Sequence, residues 1–314
     1  MEPYKDRDSY YETNINIAEI IQVLWSDKLI FLSITLIISF SSVFYAVNVP
    51  NKYQSTAIMQ LAGDDQSSAM SGLSSQYGGI ASLAGISLPS ASSDKSYYIV
   101  NTLRSREFVK HLLTFDGIKK NLMAAKSFDP DTGLIHYDEG IYINDAWVRN
   151  VGKNKNVVPS YLEVHEKSYL RKFNVQKDID SGFIKLSFEH LSPVFAKEFL
   201  DLIIQEINLI SKKNDLNESE TAFKYLEKQL LLNPQQDIKN SINQLMASQL
   251  NSMMLANVRE DYILTTIDPP HIPEYRSSPD RVLICIFGSI LGALMAFMTS
   301  ITRFYFIGNE KNLS

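Results

Sequence analysis

The chain has little of what most catalytic or metal-binding proteins are built from. Its 314 residues hold one cysteine, Cys285, inside an uncharged run, so no disulfide within the chain is possible. The five histidines, His111, His136, His165, His190 and His271, are scattered without the paired spacing a metal site needs. No G-x-S-x-G or triad context appears. The glycine-containing stretch 78–86 has no lysine at phosphate-loop spacing and no flanking strand–helix unit. Acid pairs such as Asp64-Asp65 and Glu218 with Glu220 sit where solvated loop or helix faces are expected, with no partner constellation around them. Neither catalytic residues nor a cofactor are expected. The formal charge is −5, without the basic block of a nucleic-acid binder. Residues 1–28 carry net −3 and residues 303–314 net +1, so the long middle is nearly balanced.

Long charge-free runs, by contrast, occur twice. Leu29 to Val47 and Val282 to Thr302 contain no charged side chain, and a helix needs about 20 apolar residues to cross a bilayer. The first run could be read as a secretory signal. The segment before it is long and acidic, the run exceeds an h-region of roughly 7–15 residues, and no A-x-A site follows. An uncleaved anchor is expected. Just upstream, Ile17, Ile20, Ile21 and Leu24 fall on one helical face, with Asn14 or Asn16 as cap and Trp25 following, which reads as an amphipathic helix in the membrane interface. Two spans put both tails on one side. Lys5, Arg7, Lys28, Arg303 and Lys311 against Lys52, Arg276 and Arg281 favour cytoplasmic tails. Within the second run, Gly288 and Gly292 form a GxxxG continued by Ala296, a small-residue face that another helix can approach closely.

Between residues 268 and 281 the sequence is DPPHIPEYRSSPDR. Each proline lacks an N–H and biases its predecessor towards extended backbone, so a stiff strap leads into the second span. The strap resembles the end of the Wzz family of polysaccharide chain-length determinants, the polysaccharide co-polymerases. That family's pattern is P-x-x-P, four residues, Ser-Pro and a basic residue, then a glycine-containing last span. Here the matching residues are Pro270, Pro273, Ser278, Pro279, Gly288 and Gly292. Asp280 occupies the basic position, and Arg281 comes one place late.

The rest of the chain is read as follows. Tyr53 to Leu61 is a strand, and Gly63 to Ser93, rich in Ser, Gly and Ala, is a loop. Tyr97 to Leu113 is a helix with Ile99, Leu103, Phe108 and Leu112 on one face; its segment Asn101 to Phe108 also resembles the family. Residues 114–160 are left unordered. Phe173–Gln176 and Phe183–Phe188 form a hairpin around a polar turn. Ser192-Pro193 opens a helix whose apolar spacing runs through Phe199, Ile203, Ile207, Ile210, Phe223, Leu226 and Leu230 to Leu232. Asn233-Pro234 ends it. A second helix of about 28 residues has Ile238, Ile242, Leu245, Leu250, Met254 and Val258 as its apolar face, and a short strand, Tyr262 to Ile267, rejoins the base. Met254 to Tyr262 resembles the family's descending helix, so the resemblance covers most of the chain except roughly 114–160.

The expected fold class is α+β, a periplasmic α/β base with a long helical hairpin, flanked by two transmembrane helices. The expected division is a tail at 1–28, spans at 29–47 and 282–302, a periplasmic domain at 48–281 and a second tail at 303–314. Within the domain, the base covers about 48–192 and 262–281, and the hairpin about 193–261. The resemblance implies a bacterial inner-membrane protein with cytoplasmic termini that sets the modal length of a surface polysaccharide such as lipopolysaccharide O-antigen. It implies a ring-shaped homo-oligomer, commonly octameric, acting with a membrane polysaccharide polymerase and the growing polysaccharide, in the lipid bilayer and without nucleic acid. Some relatives carry a kinase domain after the last span; the twelve residues after Thr302 hold no Walker sequence, so an attached kinase is not expected. The competing class is a two-span sensor or polysaccharide export adaptor. A sensor needs a cytoplasmic output module, for which residues 1–28 and 303–314 are short.

Overall fold

A computed structural model describes residues 25, 27–62, 92–150, 152, 156–232, 235–259 and 261–311. The interfacial helix expected at residues 15–24, nearly all of the loop expected at 63–93 and the Asn233-Pro234 break lie outside the described residues. The chain divides into two compact units, Asn51–Ser277 on the one hand and Met1–Pro50 with Ser278–Ser314 on the other. The fold is α+β, with a long helical hairpin in the first unit and two apolar helices in the second.

The first unit is built on strand β1 (Tyr53–Leu61). Its inward residues Ser55, Ala57, Met59 and Leu61 are buried and alternate with Gln54, Thr56, Ile58 and Gln60. Helices α1 (Lys28–Asn48) and α9 (Arg281–Lys311) belong to the other unit. After β1 come α2 (Ser92–Leu103), α3 (Arg106–Leu112), α4 (Ile118–Ala124), β2 (Ala125–Phe128), β3 (Ile135–Tyr137), β4 (Tyr142–Ile143) and β5 (Ala146–Trp147). Then follow α5 (Tyr161–Val164), a π-helical turn (His165–Tyr169), α6 (Leu170–Lys172), β6 (Phe173–Lys177), β7 (Ile184–His190), α7 (Pro193–Leu232), α8 (Gln236–Val258), β8 (Leu264–Asp268) and α9 (Arg281–Lys311). The main sheet has the order β6-β7-β1-β8, each pair antiparallel.

The helix expected over 97–113 is two helices. α2 starts earlier, at Ser92, and the chain restarts at Ser105, whose hydroxyl accepts the Phe108 N–H at 3.1 Å as an N-cap. The apolar residues named for it, Ile99, Leu103, Phe108 and Leu112, are all buried in the main core. That core lies between the sheet and the first half of α7. Phe188 of β7 meets Phe199 edge-on at 4.7 Å, and Phe195 stacks on Phe199 at 5.5 Å. Ser192 caps α7 by accepting the Phe195 N–H, with Pro193 at the first helical position, where its missing N–H has no partner to lose.

The described residues of 114–160, which carry no clear sequence pattern, include α4 and two small hairpins. The β4–β5 turn is Asn144-Asp145, with φ of 48° and 57°, the two positive angles of the turn that matches strand twist. Arg149 then grips Glu163 with two bonds of 2.9 and 3.0 Å. This guanidinium, helped by Lys167 and opposed by burial, holds the Glu163 carboxyl down at about 2.

Beyond residue 208, α7 leaves the main core and packs against α8. Leu226, Ile242 and Leu245 are buried there, with Leu230 and Met246 beside them. Four residues assigned by spacing to α8's apolar face, Ile238, Leu250, Met254 and Val258, are exposed in the single chain, because two helices in contact bury one seam only. The second helix is also shorter than expected, 23 residues. The return to the sheet is fixed by Asn208, buried on α7. Its amide oxygen accepts the N–H groups of Ile263 and Leu264, both at 2.9 Å, and its amide nitrogen donates to the Leu264 carbonyl at 3.0 Å. Replacing Asn208 with Leu leaves these backbone groups without partners. Denaturant unfolding of the detergent-solubilised chain should show a loss of about 3 kcal/mol; a loss well under about 1 kcal/mol would mean that water takes Asn208's place.

His190 ends β7 inside the core. Its Nε2 bonds to the Asn121 carbonyl at 2.9 Å and its Nδ1 accepts the Ser192 N–H at 3.1 Å, so the ring is neutral with the proton on Nε2. Burial first, and Lys172 second, push its pKa from 6.5 down to about 4. The unfolded chain therefore takes up a proton before the folded chain does. The contribution of neutral His190 is complete above about pH 6.5 and is lost as pH falls towards about 4, roughly 3 kcal/mol in all. His190→Gln should flatten the stability profile across that window, and an unchanged slope would show that another group carries it.

Candidate functional site

The strap and the span pair hold the residues singled out in the sequence, and each falls in its own unit. In the first unit, residues 269–277 run on from β8 beside the start of β1 without continuing the ladder, since Pro269, Pro270 and Pro273 have no N–H to donate. Side chains and single backbone bonds replace it. Ser55 Oγ donates to the His271 carbonyl at 2.8 Å, and the Ser277 N–H donates to the Lys52 carbonyl at 2.8 Å. The Ser277 hydroxyl also donates to the Glu189 carboxylate at 3.0 Å, which in turn pairs with Lys52 at 3.4 Å. Pro270 and Pro273 are buried, whereas Ile272 and Tyr275 are exposed. The two prolines of the motif thus act as apolar pegs, and the residues between and after them face outwards.

In the second unit, Ser278 and Pro279, joined by a cis peptide, precede Asp280, and α9 begins at Arg281. Asp280 Oδ1 accepts the Leu283 N–H at 3.2 Å and its carbonyl accepts the Ile284 N–H at 3.1 Å. The acid that stands in the family's basic position is a helix N-cap, and a negative charge at a helix N-terminus is favourable. An acid followed by an apolar helical run carried that signal in the sequence.

Gly288 and Gly292 are turned towards α1. A side chain at Gly288 would collide with that of Ser42, and one at Gly292 would lie 3.2 Å from both Ile38 Cβ and the Thr35 carbonyl oxygen. Ala296 and Ser300 continue the buried face of α9, and Ala46 is buried on α1. Hydroxyls link the two helices: Ser42 donates to the Ile284 carbonyl at 2.9 Å, and Ser39 to Ser289 at 3.2 Å. The glycine face is therefore used within the chain. On α1, Thr35, Ser39, Ser42 and Ala46 repeat at spacings of four, three and four, the period of one helix face. That pattern was the signal in the sequence for the partner surface, small groups within a run that is otherwise simply uncharged.

Three of the five histidines bond within the fold. His111 bonds to Glu206 at 2.6 Å, His165 to the Arg104 carbonyl at 2.8 Å, and His190 as described. Among the described residues, no group of three His, Cys, Asp or Glu side chains is placed to hold a metal ion.

A two-helix apolar pair and an α+β unit with a helical hairpin define the class, a protein with two candidate membrane spans. Residues 13–114 match the model of the Wzz family, described as chain length determinant protein. The match lies at the opposite end of the sequence from the strap that carries the resemblance. Among solved structures, a full-length bacterial polysaccharide co-polymerase is similar at 12% identity and TM-score 0.41, covering 93% of this chain and 99% of that one. A fragment of WzzB, a polysaccharide co-polymerase from Salmonella Typhimurium, is similar at 15% identity and TM-score 0.28, covering 73% of this chain and all of that one. No curated protein matches the sequence.

With Cys285 replaced by Ser, the pair Ser39→Cys and Ser289→Cys should form a disulfide under mild oxidation, since their hydroxyls are 3.2 Å apart. Adding Gly288→Leu should abolish the cross-link while the protein still inserts. Equal cross-linking with and without leucine would show that the glycine is not needed for the close approach.

Proposed function

We propose that the chain sets the modal length of a surface polysaccharide, lipopolysaccharide O-antigen being one such polymer, without forming glycosidic bonds itself. The observation that carries this is the family match over residues 13–114. In this reading the protein works as a ring-shaped homo-oligomer, commonly eight copies, beside a membrane polymerase and the growing polysaccharide. Apolar surface left open on the hairpin supports self-association. Leu231, near the tip, is 84% exposed, and Val258 and Met254, near the return to the sheet, are 81% and 60% exposed, apolar side chains that a single helix pair does not cover. The basic side chains of the tails support cytoplasmic termini, with residues 48–281 in the periplasm of a bacterial inner-membrane protein. Pro270, Pro273, Ser278, Pro279, Arg281, Gly288 and Gly292 are where contact with the bilayer and the polymerase is proposed.

Deleting the protein should leave polymer synthesis running and spread product lengths from a preferred cluster to a broad, mostly short distribution, as read on a polysaccharide gel. Ile242→Asp, which places a charge in the buried hairpin seam, should shift the preferred length. Complete loss of polymer on deletion would replace the regulator by an essential synthase or export component. Unchanged lengths with a lost stress response would favour the sensor.

A further inference from the structure

A cavity of about 380 Å³ opens where α6 runs into β6, within the range of small-molecule sites, roughly 300–1,000 Å³. Gln54, Asn174 and Ser187 line its sheet side. Gln54 pairs with Glu189, and Asn174 with Ser187, so these side chains stand on the sheet face opposite α7. Arg104, Arg171 and Lys172 line the other side.

All three basic residues sit at helix C-terminal ends, where cations ordinarily satisfy open carbonyls. At the end of α2 other groups already do so: the Tyr169 hydroxyl donates to the Leu103 carbonyl at 2.8 Å, and His165 bonds to that of Arg104 at 2.8 Å. On α4, the Ser168 hydroxyl donates to the Leu122 carbonyl at 2.6 Å. Lys172 also donates to Leu122, at 2.8 Å, using one of its three N–H groups. The guanidinium groups of Arg104 and Arg171 hold no hydrogen bond or ion pair among the described residues. Burial, then Lys52, push the Lys172 pKa down to about 8 against the pull of Glu189, so an added anion would relieve it. Glu189, on the rim, turns its carboxylate to Lys52 and Ser277.

We propose that this cavity binds an oxyanion carried on a sugar, either the carboxylate of an acidic sugar or the phosphate of a sugar phosphate. Arg104 and Arg171 supply planar forks that suit either anion, and Lys172 supplies a fixed charge. The amides of Gln54 and Asn174 both donate and accept, which suits neighbouring hydroxyls. This site goes beyond the length-control reading and does not depend on it.

The test is calorimetric titration of the full chain in neutral-lipid nanodiscs with sodium glucuronate, glucose 1-phosphate, inorganic phosphate and glucose. At least one of the two acidic sugars should bind at one site per chain, and glucose should not. Which of the two binds more tightly identifies the source of the anion. Arg104→Gln with Arg171→Gln should weaken binding about tenfold or more at an unchanged melting temperature, since both side chains are exposed. Asn174→Trp, which fills the cavity from an exposed strand position and leaves the charges in place, should abolish binding. No binding by either acidic sugar, or binding indifferent to both variants, would overturn the proposal. Inorganic phosphate binding as tightly as glucose 1-phosphate, with glucuronate silent, would reduce the cavity to a free-anion site and overturn it as well.

Discussion

A strand inside a sheet must have both backbone edges satisfied, and of the two interior strands β1 meets that requirement across the longest stretch of sequence. It follows the first apolar helix directly in sequence, yet its partners come from much later in the chain. β7 supplies one edge over Tyr53–Met59, and β8 supplies the other over Ile58–Leu61. Where β8 stops, the proline strap takes over through Ser55, Ser277 and the Lys52 carbonyl. The beginning and the end of the unit Asn51–Ser277 are thus tied to the same strand, and the hairpin of α7 and α8 is an excursion made between its two partners. An unpaired N–H or C=O left inside would cost about as much as a lost hydrogen bond, which is why a polar residue, Asn208, is retained on the apolar face of α7 at the point of return.

Long periodic elements were legible in the residues. The strand at Tyr53–Leu61, the helix opened by Ser192-Pro193 and the two charge-free helices all rest on patterns of ten or so residues or more, where spacing outweighs local exceptions. The β6–β7 hairpin was readable because polar residues separate two apolar runs. Shorter features were lost for identifiable reasons. The serine that caps α3 lies in a stretch whose apolar spacing continues across it, so two helices looked like one. The Asn144-Asp145 turn carries two residues that tolerate positive φ, but its strands are two residues long and show no alternation.

The candidate site was legible in its residues and not in its partners. Pro270, Pro273, Gly288 and Gly292 were found by motif, while the surfaces they press on were not. Helix α1 offers hydroxyls and an alanine to the glycine face, small groups that register as merely uncharged. Asp280 departs from the family pattern as a charge and fits the local geometry as a cap. The cavity beside β6 could not be read from the sequence at all, because Arg104 and Arg171 come from segments far apart in the chain and gain meaning only when the carbonyls nearby are seen to be taken.

One consequence follows from the continuity of α7. Its 40 residues run unbroken from the aromatic seat at Phe195 and Phe199 to the seam at Leu226 and Leu230, about 60 Å at 1.5 Å per residue. No glycine or proline interrupts it after Pro193, so it has no built-in hinge. The helix is a lever whose short arm is clamped by aromatic rings. A tilt of a few degrees set by one side chain at the seat reappears at the far end as a displacement of several ångströms, so residues that never touch the tip determine where the tip points.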